Sequence, residues 1–136
     1  MTEARQRIGR QAETLVAQRL GSAGWRIVAR NARTRYGELD IVALDGRVLV
    51  FVEVKAGREG SLFGPERPVH SVDARKQQRL RRLATAWMAE RRGAGKAVMS
   101  AGAEALHYDE IRFDAVGVTY DRRGSVTAYE HLEGAF

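Results

Sequence analysis

Two β-rich runs, residues 38–44 and 48–55, are separated only by Asp45, Gly46 and Arg47, and this pairing constrains the fold more than any other feature of the chain. Apolar, β-branched runs joined across Asp-Gly read as a β-hairpin. The second run is apolar almost throughout, the pattern of a strand covered on both faces. Only Glu53 and Lys55 interrupt it.

The flanking sequence supplies the cover. Ile8, Ala12, Leu15, Val16 and Leu20 recur at helical spacing over residues 2–20, with a stop at 21–24. Residues 25–30 read as a strand, followed by a basic stretch that ends at Gly37. Asp73 is placed to cap a second helix with a stripe of Leu80, Leu83, Ala84, Trp87 and Met88, predicted to reach Arg92 and stop at Gly93. Residues 56–72 form a loop rich in Gly, Pro and Ser, too long to be a mere connector. A small-residue loop is expected at 93–105, then strands at 111–120 and 126–131. The order α-β-β-β-α-β-β predicts an α/β fold, a mixed central sheet flanked by helices. A right-handed crossover would join its third and fourth strands. At 136 residues the chain suits one domain, 1–136.

Charge narrows the partners. The formal net charge is +6, and only three of the 23 basic residues are lysine (Lys55, Lys76 and Lys96). Such a balance favours nucleic acid over an anionic membrane, although arginine from a GC-rich coding sequence gives the same number. There is no cysteine, which excludes disulfides and thiolate zinc sites. No run approaches the ~18 apolar residues of a membrane span, and the first ten residues lack the apolar core of a secretory signal. A cytoplasmic location is expected.

Chemistry concentrates on the hairpin. Alternation puts Glu53 with Lys55 on one strand face and Glu38 with Asp40 on another. With a two-residue turn at Asp45-Gly46, Asp40 pairs with Phe51 and Glu38 with Glu53. Asp40 and Glu53 are then diagonal neighbours, roughly 7–8 Å apart at the backbone. A four-residue loop sets the two acids directly opposite, and an odd-length loop needs a bulge. Acids on otherwise apolar strands are costly unless paired or bound to metal. An oxygen-only donor set suits Mg²⁺ or Mn²⁺, with Lys55 positioned to orient a water or stabilise charge on a phosphate. The same residues also fit a structural Glu53–Lys55 ion pair beside a surface aspartate.

Glu13, at the edge of the first helix's apolar stripe, is a candidate third carboxylate. Lys76, in the first turn of the second helix, opposes the helix dipole unless an anion sits there. Arg75, Arg79 and Arg82 form one helix face which, with Arg33 and Arg35, would track a phosphate backbone or be a solvated surface. Arg112 and Asp114 read as a structural pair. His70, His107 and His131 have no ligand spacing and read as incidental.

The runs Gly37-Glu38-Leu39-Asp40-Ile41-Val42 and Leu49-Val50-Phe51-Val52-Glu53-Val54-Lys55 resemble the signature of the YraN-like bacterial family. Arg112-Phe113-Asp114, Lys76 after a helix start, Arg30-Asn31 and the closing Ala135-Phe136 also match it, so the resemblance covers nearly the whole chain. That family is similar to the PD-(D/E)xK, restriction-endonuclease-like superfamily, particularly the archaeal Holliday-junction resolvases. The resemblance implies a three-layer fold, with Asp40 and Glu53 as Mg²⁺ ligands. Lys55 would position the nucleophilic water, and Glu13 would complete the site. Leu39 stands where the superfamily has proline, and Ala12 where the family usually has glycine. A Mg²⁺-dependent nuclease acting on DNA is therefore expected. The rival readings are a non-catalytic nucleic-acid-binding module and a nuclease active only with a partner. That partner would be a protein such as a helicase-like motor, docked on Leu62–Phe63. Similarity to resolvases also implies a homodimer.

Overall fold

A computed structural model of the chain describes residues 3–60, 72–97 and 106–136. Its elements are α1 (Glu3–Ser22), β1 (Arg26–Thr34), β2 (Gly37–Asp45), β3 (Val48–Arg58), α2 (Ala74–Ala97), β4 (Glu110–Tyr120) and β5 (Val126–Leu132). The residues proposed as a partner contact, Leu62–Phe63, lie outside the described residues, as does His70.

The five strands form one mixed sheet in the order β1-β2-β3-β4-β5. β3 and β4 run parallel, with α2 in the connection, and the other neighbours are antiparallel. β3 is central and has a helix over each face, which is why its sequence is nearly all apolar. On one face, Ala12, Val16, Ala17 and Leu20 of α1 pack on Ile41, Ala43, Val50, Val52, Val54, Val116 and Val118. On the other, Leu80, Leu83, Ala84 and Trp87 of α2 pack on Leu39, Val42, Leu44, Leu49, Phe51 and Phe113. The Phe51 ring stacks on Phe113 at 5.5 Å and meets Trp87 edge-on at 6.0 Å. The result is a three-layer, restriction-endonuclease-like α/β arrangement. No helix among the described residues is long and apolar enough to cross a membrane.

Asp73 caps α2 as the sequence suggests, its Oδ1 accepting the Lys76 amide at 3.0 Å. Four boundaries differ from the sequence reading. β3 runs to Arg58, into the stretch read as loop from residue 56, because β4 pairs with it as far as Arg58–Tyr120. β1 continues to Thr34, because β2 offers it a ladder as far as the Thr34–Gly37 pair. α2 runs through Gly93 to Ala97, since glycine costs a helix only about 1 kcal/mol and stops it only where the backbone turns left-handed. The hairpin turn is Gly46-Arg47 rather than Asp45-Gly46, because Asp45 still pairs with Val48. Gly46 takes a φ of 61°, so a residue without Cβ meets the left-handed demand and Asp45 stays in the ladder.

Candidate active site

The β2–β3 ladder runs from Asp45–Val48 only to Ile41–Val52 and stops there. On either side the pairing continues: β1 follows β2 to Gly37, and β3 stays with β4 to Arg58. The sheet therefore forks between β2 and β3, and the residues at the crotch are Asp40 and Glu53. The corrected turn moves the register by two residues, which keeps the strand faces but sets the two acids opposite one another rather than diagonally. That is the alternative the sequence attached to a four-residue loop.

The fork leaves backbone groups without a strand partner, and side chains take their place. Asp40 Oδ2 accepts the Val54 amide at 2.9 Å. This bond holds the carboxyl between the diverging strands. β2 also loses its simple alternation here: Leu39 and Val42, three residues apart, both pack beneath α2. Ala29 and Ala32 of β1 repeat the irregularity around Asn31, whose φ of 49° is the one positive value at a non-glycine among the described residues. Asparagine tolerates this left-handed geometry better than most residues.

Three carboxyl groups converge at the crotch. Asp40 hydrogen-bonds with Glu53 and with Glu13, which reaches it from α1. Burial raises the Asp40 pKa from 3.8 to about 8, with the negative charge of Glu53 and then of Glu13 adding to the rise and the Val54 amide opposing it. The cluster thus favours holding a proton, shared between Asp40 and a neighbouring carboxylate. Burial also raises the Glu13 pKa, against hydrogen bonds from Asp40 and Asn31 and the charge of Arg30. Lys55 Nζ stands 3.1 Å from Glu53 Oε1, both side chains being largely covered.

All four candidate catalytic residues, Glu13, Asp40, Glu53 and Lys55, are therefore in one cluster. Among the described residues no three acids or histidines form a preassembled metal cage. The cluster nevertheless suits a hard divalent cation: its donors are all oxygen, and the repulsion of Asp40 by Glu53 and Glu13, which adds to the effect of burial, is of the kind a cation would relieve. Asn31 and Arg30 had no assigned role in the sequence reading. The Arg30-Asn31 pair was visible as a motif, but only the tertiary fold sets Asn31 against Glu13. Arg30 also donates to Thr14 Oγ1 at 2.9 Å, tying β1 to α1 beside the cluster.

The basic candidates are distributed differently. Arg75, Lys76, Arg79 and Arg82 are exposed along α2. Arg33 is paired with Glu38 at 3.1 Å, and Arg35 reaches Glu90, its amide lying 3.3 Å from Oε1. A groove of 740 Å³ beside α2 is lined by Arg35, Tyr36, Arg81 and Arg82, with Glu90 on its wall. It belongs to the helix surface, away from the carboxylates. Asp114 is fully buried and held by Arg112 (Nε to Oδ1, 2.8 Å; Nη2 to Oδ2, 3.1 Å), as a structural pair. His131 is not incidental: its Nε2 lies 2.7 Å from Asp114 Oδ2, and the Gly134 amide donates to Oδ1 at 3.0 Å. The three donors hold the carboxyl ionised, lowering its pKa against the opposing effect of burial.

Comparison with known proteins gives a consistent family. The model of an uncharacterised protein family, UPF0102, matches residues 12–118. A UPF0102 protein of Acidothermus cellulolyticus is 45% identical over 134 residues, covering 98% of this chain and 96% of the relative. One from Pelotomaculum thermopropionicum is 40% identical over 136 residues, covering all of both chains. One from Nocardia farcinica is 41% identical over 132 residues, covering 97% and 91%.

Proposed function

The chain belongs to UPF0102, the YraN-like family, and from the geometry of its forked sheet we propose that it is a metal-dependent nuclease hydrolysing phosphodiester bonds, with DNA as substrate. The observation that carries this reading is the meeting of Glu13, Asp40 and Glu53 at the fork, with Lys55 against Glu53. A structural ion pair explains Lys55 and Glu53 alone. It does not explain two further acids gathered around them, at the expense of forcing a proton onto Asp40.

Asp40 and Glu53 would hold the cation, Mg²⁺ or Mn²⁺, which supplies Lewis-acid charge at a phosphate and lowers the pKa of a water. The chain's own residues have separate tasks. The Val54 amide fixes the Asp40 carboxyl between the strands, so its position does not depend on a flexible side chain. Lys55 keeps its ammonium beside Glu53, where it can orient a water and offset negative charge developing on phosphate oxygens. Glu13, its carboxyl less acidic than usual through burial, is placed to accept a proton from the attacking water. Asn31 holds Glu13 in place.

The test is purified protein with Mg²⁺ or Mn²⁺ against branched, single-stranded and duplex DNAs, beside Asp40→Asn, Glu53→Gln and Lys55→Ala. Cation-dependent products that vanish in each folded variant are expected. Cleavage surviving Asp40→Asn or Glu53→Gln, or no product from any substrate, rejects the proposal.

A further inference from the structure

Beyond the carboxylate fork lies a second concavity that is wholly different in charge. It is a pocket of 250 Å³ lined by Ala4, Arg7, Ile8, Gln11, Arg58, Tyr120 and Arg122–Gly124. Four of these are arginines, and they arrive from three separate parts of the chain. Arg7 comes from α1, Arg58 from the last position of β3, and Arg122 and Arg123 from the turn between β4 and β5.

No acid lines the pocket among the described residues. That sets these arginines apart from others on the same molecule. Arg33, Arg35, Arg47 and Arg112 each stand against a carboxylate: Glu38, Glu90, Asp109 and Asp114. Of the acids adjoining these residues in sequence, Glu3 and Glu59 are exposed and do not line the pocket, and Asp121 is turned into its own loop, where Oδ1 accepts the amides of Arg123 (2.8 Å) and Ser125 (2.9 Å). The Asp121 carboxylate thus shapes the turn that presents Arg122 and Arg123. The Glu59 amide, bonded to the Tyr120 carbonyl at 2.8 Å, closes the end of β3 against β4 and fixes where Arg58 leaves the sheet.

Four like charges gathered in a concave site with no acid among its described lining residues have one common physical use, to hold an anion. Arginine's planar fork of donors matches the oxygens of a phosphate group. The position agrees with that use. Arg58 is three residues past Lys55 on β3, roughly 10 Å at ~3.3 Å per residue. Arg7 is six residues before Glu13 on α1, about 9 Å at 1.5 Å per residue. The same two elements that deliver the carboxylates therefore continue into the arginine pocket.

We infer that this pocket binds a phosphate group of a nucleic-acid strand whose scissile bond lies at the fork, and so sets the strand's direction across the site. The choice of ligand rests on the reading of the fork as a phosphodiester site; the pocket itself does not. An internal phosphodiester and a terminal phosphate share this chemistry, and the experiment separates them.

Binding is measured by fluorescence anisotropy in EDTA, with the full chain and labelled single-stranded and duplex oligonucleotides, across a range of salt. The oligonucleotides carry either a 5′-phosphate or a 5′-hydroxyl. Arg7→Ala, Arg58→Ala, Arg122→Ala and Arg123→Ala are combined, and a second protein carries lysine at the same four positions. The alanine protein should bind at least tenfold more weakly at moderate salt, with a salt slope smaller by about 2–4. The lysine protein should recover most of the slope. A preference for the 5′-phosphate that the alanine protein loses identifies a terminal phosphate, and a loss equal for both ends identifies an internal one. Unchanged affinity and slope in a folded alanine protein overturn the inference. The two proposals fail separately: DNA binding lost with the arginines in a chain that never cleaves keeps the pocket and sinks the nuclease. Cleavage with affinity unaltered by the alanine changes does the reverse.

Discussion

Asp40→Asn should make the protein more stable while removing any catalytic competence. In the folded chain the Asp40 pKa stands at about 8 against an ordinary 3.8, through burial first and the charge of Glu53 second. Because the folded pKa is the raised one, the full stability is present below about pH 4 and is lost as pH rises toward 8. At pH 7 the interval above 3.8 is roughly 3 units, and at 1.36 kcal/mol per unit the limiting cost is ~4 kcal/mol. Side-chain rotation and water entry at the open fork reduce this to about 2 kcal/mol. Asparagine keeps an oxygen for the Val54 amide and donates to the neighbouring carboxylates without a charge. For a domain of this size ~2 kcal/mol corresponds to a rise in Tm of about 6–10 °C. The assay is urea and thermal unfolding of both proteins from pH 4 to 9 in EDTA. The difference should be small at pH 4, grow with pH and level off above 8. A second arm adds Mg²⁺ or Mn²⁺, which should raise the Tm of the wild-type chain and leave Asp40→Asn unmoved. A variant less stable than wild type at pH 8, or a difference that does not change with pH, refutes the account of the fork as a site of suppressed negative charge.

Three further outcomes follow from the packing and from the second polar network. Asp114→Ala should cost about 2–3 kcal/mol, read from urea unfolding at pH 7, because it removes the buried carboxylate that binds the partly covered His131 ring and the Arg112 guanidinium, which is left with Asp45 and Glu133. The Asp114 pKa is lowered in the fold, so its contribution is present above about pH 4 and is lost as pH falls further; the gap between variant and wild type should narrow at pH 3. Asn31→Gly should fold normally, while Asn31→Val should lose about 1–3 kcal/mol, since a β-branched residue resists a φ of 49°; thermal unfolding distinguishes them. Trp87→Ala should lose about 3–5 kcal/mol, with the Phe51 edge contact and the α2 face exposed, measured by chemical unfolding.

The layered class of the fold was legible in the chain because it depends on local rules. Apolar spacing marks α1 and α2 as one-sided helices, and the nearly unbroken apolar run of β3 can be stable only beneath cover on both faces. Glycine at position 46 announces the hairpin, and Asp73 the start of α2. The absence of thiolate chemistry was equally legible, since the chain has no cysteine.

Tertiary structure decided where those pieces meet. Alternation alone puts Glu53 on a strand face, but nothing local reveals that β2 and β3 part after Ile41–Val52, or that Asp40 fills the gap by accepting the Val54 amide. Glu13 and Asn31 reach Asp40 from elements far apart in sequence, and the burial that keeps a proton on Asp40 is a property of that meeting. His131 acquires its role in the same way, through a buried Asp114 on the neighbouring strand. Hydrophobic periodicity is a short-range property that survives in the bare sequence. The charge state and partners of a polar group depend on solvent exclusion and distances across the sheet, which exist only once the chain has folded.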